Sequence, residues 1–210
     1  MIKNIVFDFG KVLVDYDFHA ILDSLFDDKH EAERFKRLVT SPGFVDWCDL
    51  GEKSFAQIIE ETKTQYPQWD SELRFFDEHF TDFIISEIPG MRRLISKLRN
   101  EGLRLYGLTN WSDKVYSVME KFDILRMLDD RIISSEENII KPDIRIFQRL
   151  CAKFNLKPQE CVFTDDKAVN VEGARTFGMF AVHFQGAEQF ERELRTIINQ
   201  QKTHVQPFRN

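Results

Sequence analysis

The chain has 210 residues, of which 42% are hydrophobic and 30% charged, with a formal net charge of −6. That length suits one α/β core with a modest insertion, and the balance is ordinary for a globular protein. A net acidic surface argues against nucleic acid as an obligatory partner, because phosphate neutralisation needs a basic face.

Along the chain, Ile5-Val6-Phe7 reads as a buried strand that stops at Asp8, and Phe9-Gly10-Lys11 follows as loop. This first apolar run carries an aspartate and lacks a secretory core. Residues 18 to 85 show helical stripes and no convincing strand. The stripes are Phe18, Ile21, Leu22, Leu25 and Phe26, then Phe55, Ile58 and Ile59, then Leu73, Phe76, Phe80, Phe83 and Ile84. They predict an all-helical insertion over residues 17–86 between core segments 1–16 and 87–210. Hinges are expected near Val14 to Asp17 and Glu87 to Gly90.

From about residue 90 strand and helix alternate. Met91, Leu94, Ile95 and Leu98 mark a helix that Asn100-Glu101-Gly102 ends. Leu103 to Leu108 is a strand. Val115, Val118, Met119 and Phe122 form a helix opened by Ser112-Asp113, and Arg131-Ile132-Ile133 is a short strand. Ile144, Phe147, Leu150 and Phe154 form a helix with Pro142 near its first turn. Cys161 to Thr164 is a strand, Ala168 to Phe177 a helix and Met179 to Phe184 a last strand, while Gln200 to Asn210 is expected to fray. Repeated βα units of this kind specify a Rossmann-like parallel sheet with helices on both faces.

Cys48, Cys151 and Cys161 lack CxxC spacing, the five histidines lack metal-ligand spacing, and no segment reaches the ~20 apolar residues of a membrane span. The expectation is a cytoplasmic protein with reduced thiols and no membrane partner. Whether it is a monomer or a homodimer is left open.

Four strand ends carry chemistry. Asp8 can attack phosphorus and form an acyl-phosphate. Thr109-Asn110 brings a hydroxyl and an amide that can meet phosphoryl oxygens. Lys141, within Ile140-Lys141-Pro142, can neutralise the nucleophile and developing phosphoryl charge. Asp165-Asp166 is a carboxylate pair whose mutual repulsion calls for an offsetting charge, and Mg²⁺ prefers such oxygen ligands. Open parallel sheets build their sites beyond these strand ends. Each residue alone reads as a turn, cap or surface residue; the ordered set points to phosphoryl transfer on a small phosphorylated metabolite.

In that order the motifs resemble the haloacid dehalogenase superfamily, over Asp8 to Asn170. The resemblance implies Asp8 as nucleophile and, with Asp166 and the Gly10 carbonyl, as Mg²⁺ ligand. It implies Thr109, Asn110 and Lys141 at the phosphoryl group, Lys141 also as a catalytic residue, and Asp165 and Asn170 as supports behind them. It further implies that the insertion is a helical cap closing over the site. Trp47 and the Asp49-Leu50-Gly51-Glu52 turn are the least helix-like features of the insertion and are expected to face the sheet.

One position departs from the pattern. Most phosphatases of this family carry a second aspartate two residues after the nucleophile as general acid and base; here it is Gly10. The stretch Phe7 to Asp15 resembles the glucose-1-phosphate phosphatase-like branch, which also has glycine there and whose anomeric leaving group needs less protonation. A substitute acid could come from Asp15, Asp17 or His19 near the hinge, or from Asp46 or Asp49, although each reads first as a solvated or capping residue. The alternatives are a phosphometabolite-binding protein without turnover and a 2-haloacid dehalogenase. The latter needs no metal, so the Asp165-Asp166 pair counts against it. The reading carried forward is a Mg²⁺-dependent phosphatase acting on a small phosphorylated metabolite, a sugar phosphate first.

Overall fold

The computed structural model describes residues 1–204. Five strands form one parallel sheet: β1 (Asn4–Phe7), β4 (Arg104–Thr109), β5 (Asp130–Ile133), β6 (Cys161–Asp165) and β7 (Phe180–His183). Their order is β5-β4-β1-β6-β7, and every pairing is parallel. The central strand is buried along its whole length, as expected for a sheet covered on both faces.

Alternation along the strands builds two cores. Ile5, Phe7, Leu105 and Val162 face α6 (Met91–Asn100), α7 (Val115–Lys121) and α11 (Ala187–His204). Val6, Tyr106, Leu108 and Phe163 face α9 (Ile144–Phe154) and α10 (Ala168–Phe177). This is the period-two pattern of a sheet packed on both sides. A short helix, α8 (Ser134–Glu137), follows β5.

Between β1 and β4 lie α1 (His19–Asp23), α2 (Lys29–Val39), α3 (Pro42–Leu50), α4 (Phe55–Gln65) and α5 (Asp70–Glu78). Ser41 caps α3 and a Ser54–Gln57 capping box opens α4. Phe18, Phe55, Phe76, Phe80 and Phe83 meet ring to ring at centroid spacings of 5.1–6.0 Å. Such contacts suit aromatic packing.

Several elements differ from the sequence reading. The stretch 18–85, read as free of strands, runs into β3 (Ile84–Glu87), which pairs antiparallel with β2 (Val14–Tyr16). The two strands are four and three residues long, too short for alternation to declare them. The ribbon covers Val14 to Tyr16 of the first expected hinge and reaches only Glu87 of the second. The helix read from Ser112-Asp113 begins at Val115, because Asp113 Oδ1 accepts a hydrogen bond from Phe55 N (2.9 Å) instead of capping α7. The polar tail enters α11, which runs through His204 on the apolar row Phe190, Leu194, Ile197 and Ile198. Residues 205–210 of that tail lie outside the described residues. All three cysteines are buried free thiols. Among the described residues no helix is long and apolar enough to cross a membrane.

Candidate active site

The site lies beyond the carboxyl ends of β1, β4 and β6, where the chain switches direction across the sheet. Asp8 ends β1, and its N–H donates to Thr164 O (3.0 Å), so the central ladder fixes its position. A tight turn follows. Leu13 N and Val14 N both donate to Phe9 O (2.8 and 3.0 Å), and the Phe9 side chain is fully buried.

Lys141 is the hub. It is 3% exposed, and its Nζ donates to Asp8 Oδ1 (2.8 Å), Asp165 Oδ2 (2.7 Å) and Leu108 O (2.8 Å). Burial alone would lower its pKa, but the charges of Asp165 and Asp8 and their hydrogen bonds raise it, so the ammonium is kept. Asn110 holds the Lys141 backbone from both sides: Oδ1 accepts from Lys141 N (2.8 Å) and Nδ2 donates to Lys141 O (3.0 Å). The Asn110 side chain, expected at the phosphoryl group, is therefore committed to placing Lys141.

Asp165 is fully buried. Besides Lys141 it accepts from Lys167 N (2.8 Å) and from Asn170 Nδ2 (3.1 and 3.0 Å). Asp166 is half-buried, and burial followed by the Asp165 charge raises its pKa. Burial pushes Asp8 up to about 6, with Lys141 opposing and Asp165 reinforcing that rise. Ligand atoms of Asp8, Asp165 and Asp166 all lie within 4.8 Å of one another. Thr109 Oγ1 is buried at the end of β4 without a hydrogen-bond partner. A buried orphan hydroxyl is costly and marks a place where an acceptor or donor is missing.

Beside them is a cavity of about 490 Å³ whose wall includes Asp8, Gly10, Tyr16, Asn110, Lys141, Asp166 and Asn170, with Thr109 and Asp165 buried behind it. Phe44, Phe55, Phe76 and Phe80 give it an apolar roof, so some of these phenylalanines serve both helix packing and the cavity. The volume fits a small-molecule site. Asp49 also lines it, whereas Trp47 does not and lies under Lys53, whose Nζ is 5.5 Å from its ring centroid. A Cβ on Gly10 would lie 3.2 Å from Tyr16 Cε1, a tight contact that the ring would relieve by shifting a few tenths of an ångström. Sequence reading missed Tyr16, because an aromatic in a three-residue strand carries no signal of its own. Asp49 had one: an acidic residue in the last turn of α3 opposes the helix dipole, which suggests a reason other than helix stability.

A parallel, doubly covered sheet with an acidic, lysine-centred crevice at its switch point is the arrangement of a hydrolase with a strand-end carboxylate site. Residues 2–178 match the haloacid dehalogenase-like hydrolases, and the chain belongs to that family. It is 25% identical to a glyceraldehyde 3-phosphate phosphatase of Pyrococcus furiosus, covering 92% of this chain and 85% of that protein. It is 26% identical to a D-ribitol-5-phosphate phosphatase of Bacteroides thetaiotaomicron, covering 95% of this chain and all of that protein. Two other matched proteins are far longer, and the matched segments span 12% and 19% of them. In fold it is similar to a HAD family enzyme of Bacteroides thetaiotaomicron solved as a magnesium complex. The TM-score is 0.74 at 20% identity over 92% of this chain and 98% of that one.

Proposed function

We propose that this protein is a magnesium-dependent phosphatase that hydrolyses a small phosphate monoester through an aspartyl-phosphate on Asp8. The observation that carries this reading is the three-way contact of Lys141 Nζ with Asp8, Asp165 and the Leu108 carbonyl. It leaves one oxygen of Asp8 free of the lysine and directed by a rigid strand end.

The residues present fit a divalent cation. Three carboxylates cluster against a single buried ammonium, so the site carries excess negative charge. Both oxygens of Asp165 are already taken by donors. That leaves Asp8 and Asp166, with the Gly10 carbonyl, to hold Mg²⁺, and Asp165 and Asn170 to orient the groups behind them. When bound, the ion would offset equatorial phosphoryl charge. Lys141 adds a fixed positive charge beside the attacking oxygen, and the orphaned Thr109 hydroxyl is suited to donate to a phosphoryl oxygen.

The helical insertion over residues 17–86 is read as a cap that roofs the cavity and selects the leaving group. Two phosphatases of polyol and sugar phosphates among the relatives support a sugar-phosphate class of substrate. Gly10 is compatible with the glucose-1-phosphate phosphatase-like branch.

The test is phosphate release from para-nitrophenyl phosphate and a panel of sugar phosphates, with and without Mg²⁺. Wild type should release phosphate only with the metal, and Asp8→Asn should release none while keeping its fold by circular dichroism. Full activity in Asp8→Asn would remove Asp8 as the nucleophile, and silence of the wild type on every substrate would remove the phosphatase.

A further inference from the structure

Hydrolysis through an acyl-phosphate needs a proton for the departing alcohol and a base for the incoming water. The loop that carries Asp8 offers neither, since residue 10 is glycine and the Tyr16 ring packs closely beside it. Burial and nearby carboxylates hold the Tyr16 phenol up at about 12, so it can donate a hydrogen bond but cannot take a proton from water near neutrality.

The remaining acids sort by their contacts. Asp15 is paired with Lys11, Asp17 accepts from His19 N (2.7 Å) at the start of α1, and Asp46 and His19 are exposed. His19, Asp46 and Asp49 all line the cavity that contains Asp8, Lys141 and Asp166, and of the three only Asp49 is not exposed; no hydrogen bond or ion pair engages its carboxylate among the described residues.

The end of α3 is also fixed to the sheet domain. Ser134 Oγ donates to Asp49 O (2.6 Å), Asn138 Nδ2 donates to Leu50 O (2.9 Å), and Phe55 N donates to Asp113 Oδ1 (2.9 Å). Gly51 at φ +69° lies so close to α8 that a Cβ would come within 2.2 Å of Ser135 O. The geometry points to Asp49 as the proton donor and acceptor that takes the role the Asp8 loop cannot fill, an inference that rests on the phosphatase reading.

The proton balance closes over two steps. First, an Asp8 oxygen bonds to phosphorus as the ester P–O bond breaks. The electron pair leaves on the ester oxygen, which takes the Asp49 proton and departs as the alcohol. Then the Asp49 carboxylate takes a proton from water as the water oxygen bonds to phosphorus. The P–O bond to Asp8 breaks, its electron pair returns to the Asp8 carboxylate, and inorganic phosphate leaves with Asp49 protonated again.

The electrostatics agree with that cycle. Burial pushes Asp49 up to about 7, Lys167 pulls it down, Asp46 and Asp8 push it up, and Lys141 pulls it down. Tyr16 and the Cys48 thiol are the other titratable groups near it. A general acid–base works best with a pKa near the operating pH.

The experiment compares wild type and Asp49→Asn, with Mg²⁺, on para-nitrophenyl phosphate and on glycerol phosphate. Nitrophenolate leaves without protonation, whereas an alkoxide does not. Asp49→Asn should lose ~10²–10⁴-fold on glycerol phosphate. On para-nitrophenyl phosphate it should give a stoichiometric burst of nitrophenolate, followed by slow turnover with phosphate retained on Asp8 by mass spectrometry. Asp49→Glu should restore part of the glycerol phosphate activity. Unchanged glycerol phosphate turnover in Asp49→Asn, or equal losses on both substrates without a burst, would overturn the role of Asp49 and leave the phosphatase standing. A wild type silent on both would overturn both.

Discussion

Lys141 shows how one buried side chain sets the electrostatics of its neighbours. It lies between Asp8 and Asp165 at 2.8 and 2.7 Å. Removing one partner of a buried pair costs about 3–5 kcal/mol. Lys141→Ala should lower stability by that order at pH 8. Without the ammonium, Asp8, already raised by burial, loses the charge that opposes that rise, and its protonation on acidification then relieves it. The deficit in urea midpoint should therefore shrink between pH 8 and pH 5; an equal deficit at both would contradict the pairing. Asp49 gives a second pH effect. Its folded pKa of about 7 lies above the ordinary carboxylate value of 3.8. The folded state thus binds the extra proton between about pH 4 and 7, and stability falls as pH rises through that window. Asp49→Asn should flatten this slope and melt above the wild type at pH 8. For the metal, Asp166→Ala should shift the magnesium titration of activity sharply upward, and an unmoved titration would exclude Asp166 as a ligand.

Among the elements, the junction of α3 with α8 is the most sensitive. Gly51 combines a left-handed φ with backbone-to-backbone approach to Ser135, and any Cβ would clash there. Gly51→Ala should separate the end of α3 from Ser134. Each kcal/mol lost lowers Tm by about 2–4 °C at this chain length, and the expected signature is a lower Tm together with a raised KM. A raised Tm would refute the contact. This junction also marks the limit of what sequence could disclose. Asp8, Asp165 and Asp166 were legible because they stand at the ends of apolar strands in a βα rhythm; Lys141, read as a fourth strand end, instead lies in the loop between α8 and α9, beyond the end of β5 at Ile133. The clamp of Asn110 on the Lys141 backbone joins residues 31 apart, and no local pattern encodes it. The same holds for Ser134 reaching Asp49 O across 85 residues. The ribbon of β2 and β3 was hidden by its shortness, and α11 by its mostly polar composition.

Taken whole, the molecule rests on the two faces of the sheet, and the aromatic packing of the insertion is continuous with one of them. Phe76 touches Phe18, Phe55, Phe80 and Phe83 and is 2% exposed. Phe76→Ala should cost about 3–5 kcal/mol in urea unfolding, and a cost below 1 kcal/mol would show that this core is not tightly packed. The paired strands β2 and β3 carry a further consequence. Val14 and Glu87 face each other across that ladder, so the chain departs for the insertion and returns from it about 5 Å apart. Two residues of tight turn would span that distance. The insertion thus leaves and re-enters the core at one place, so a change in its length need not shift the register of any strand in the sheet.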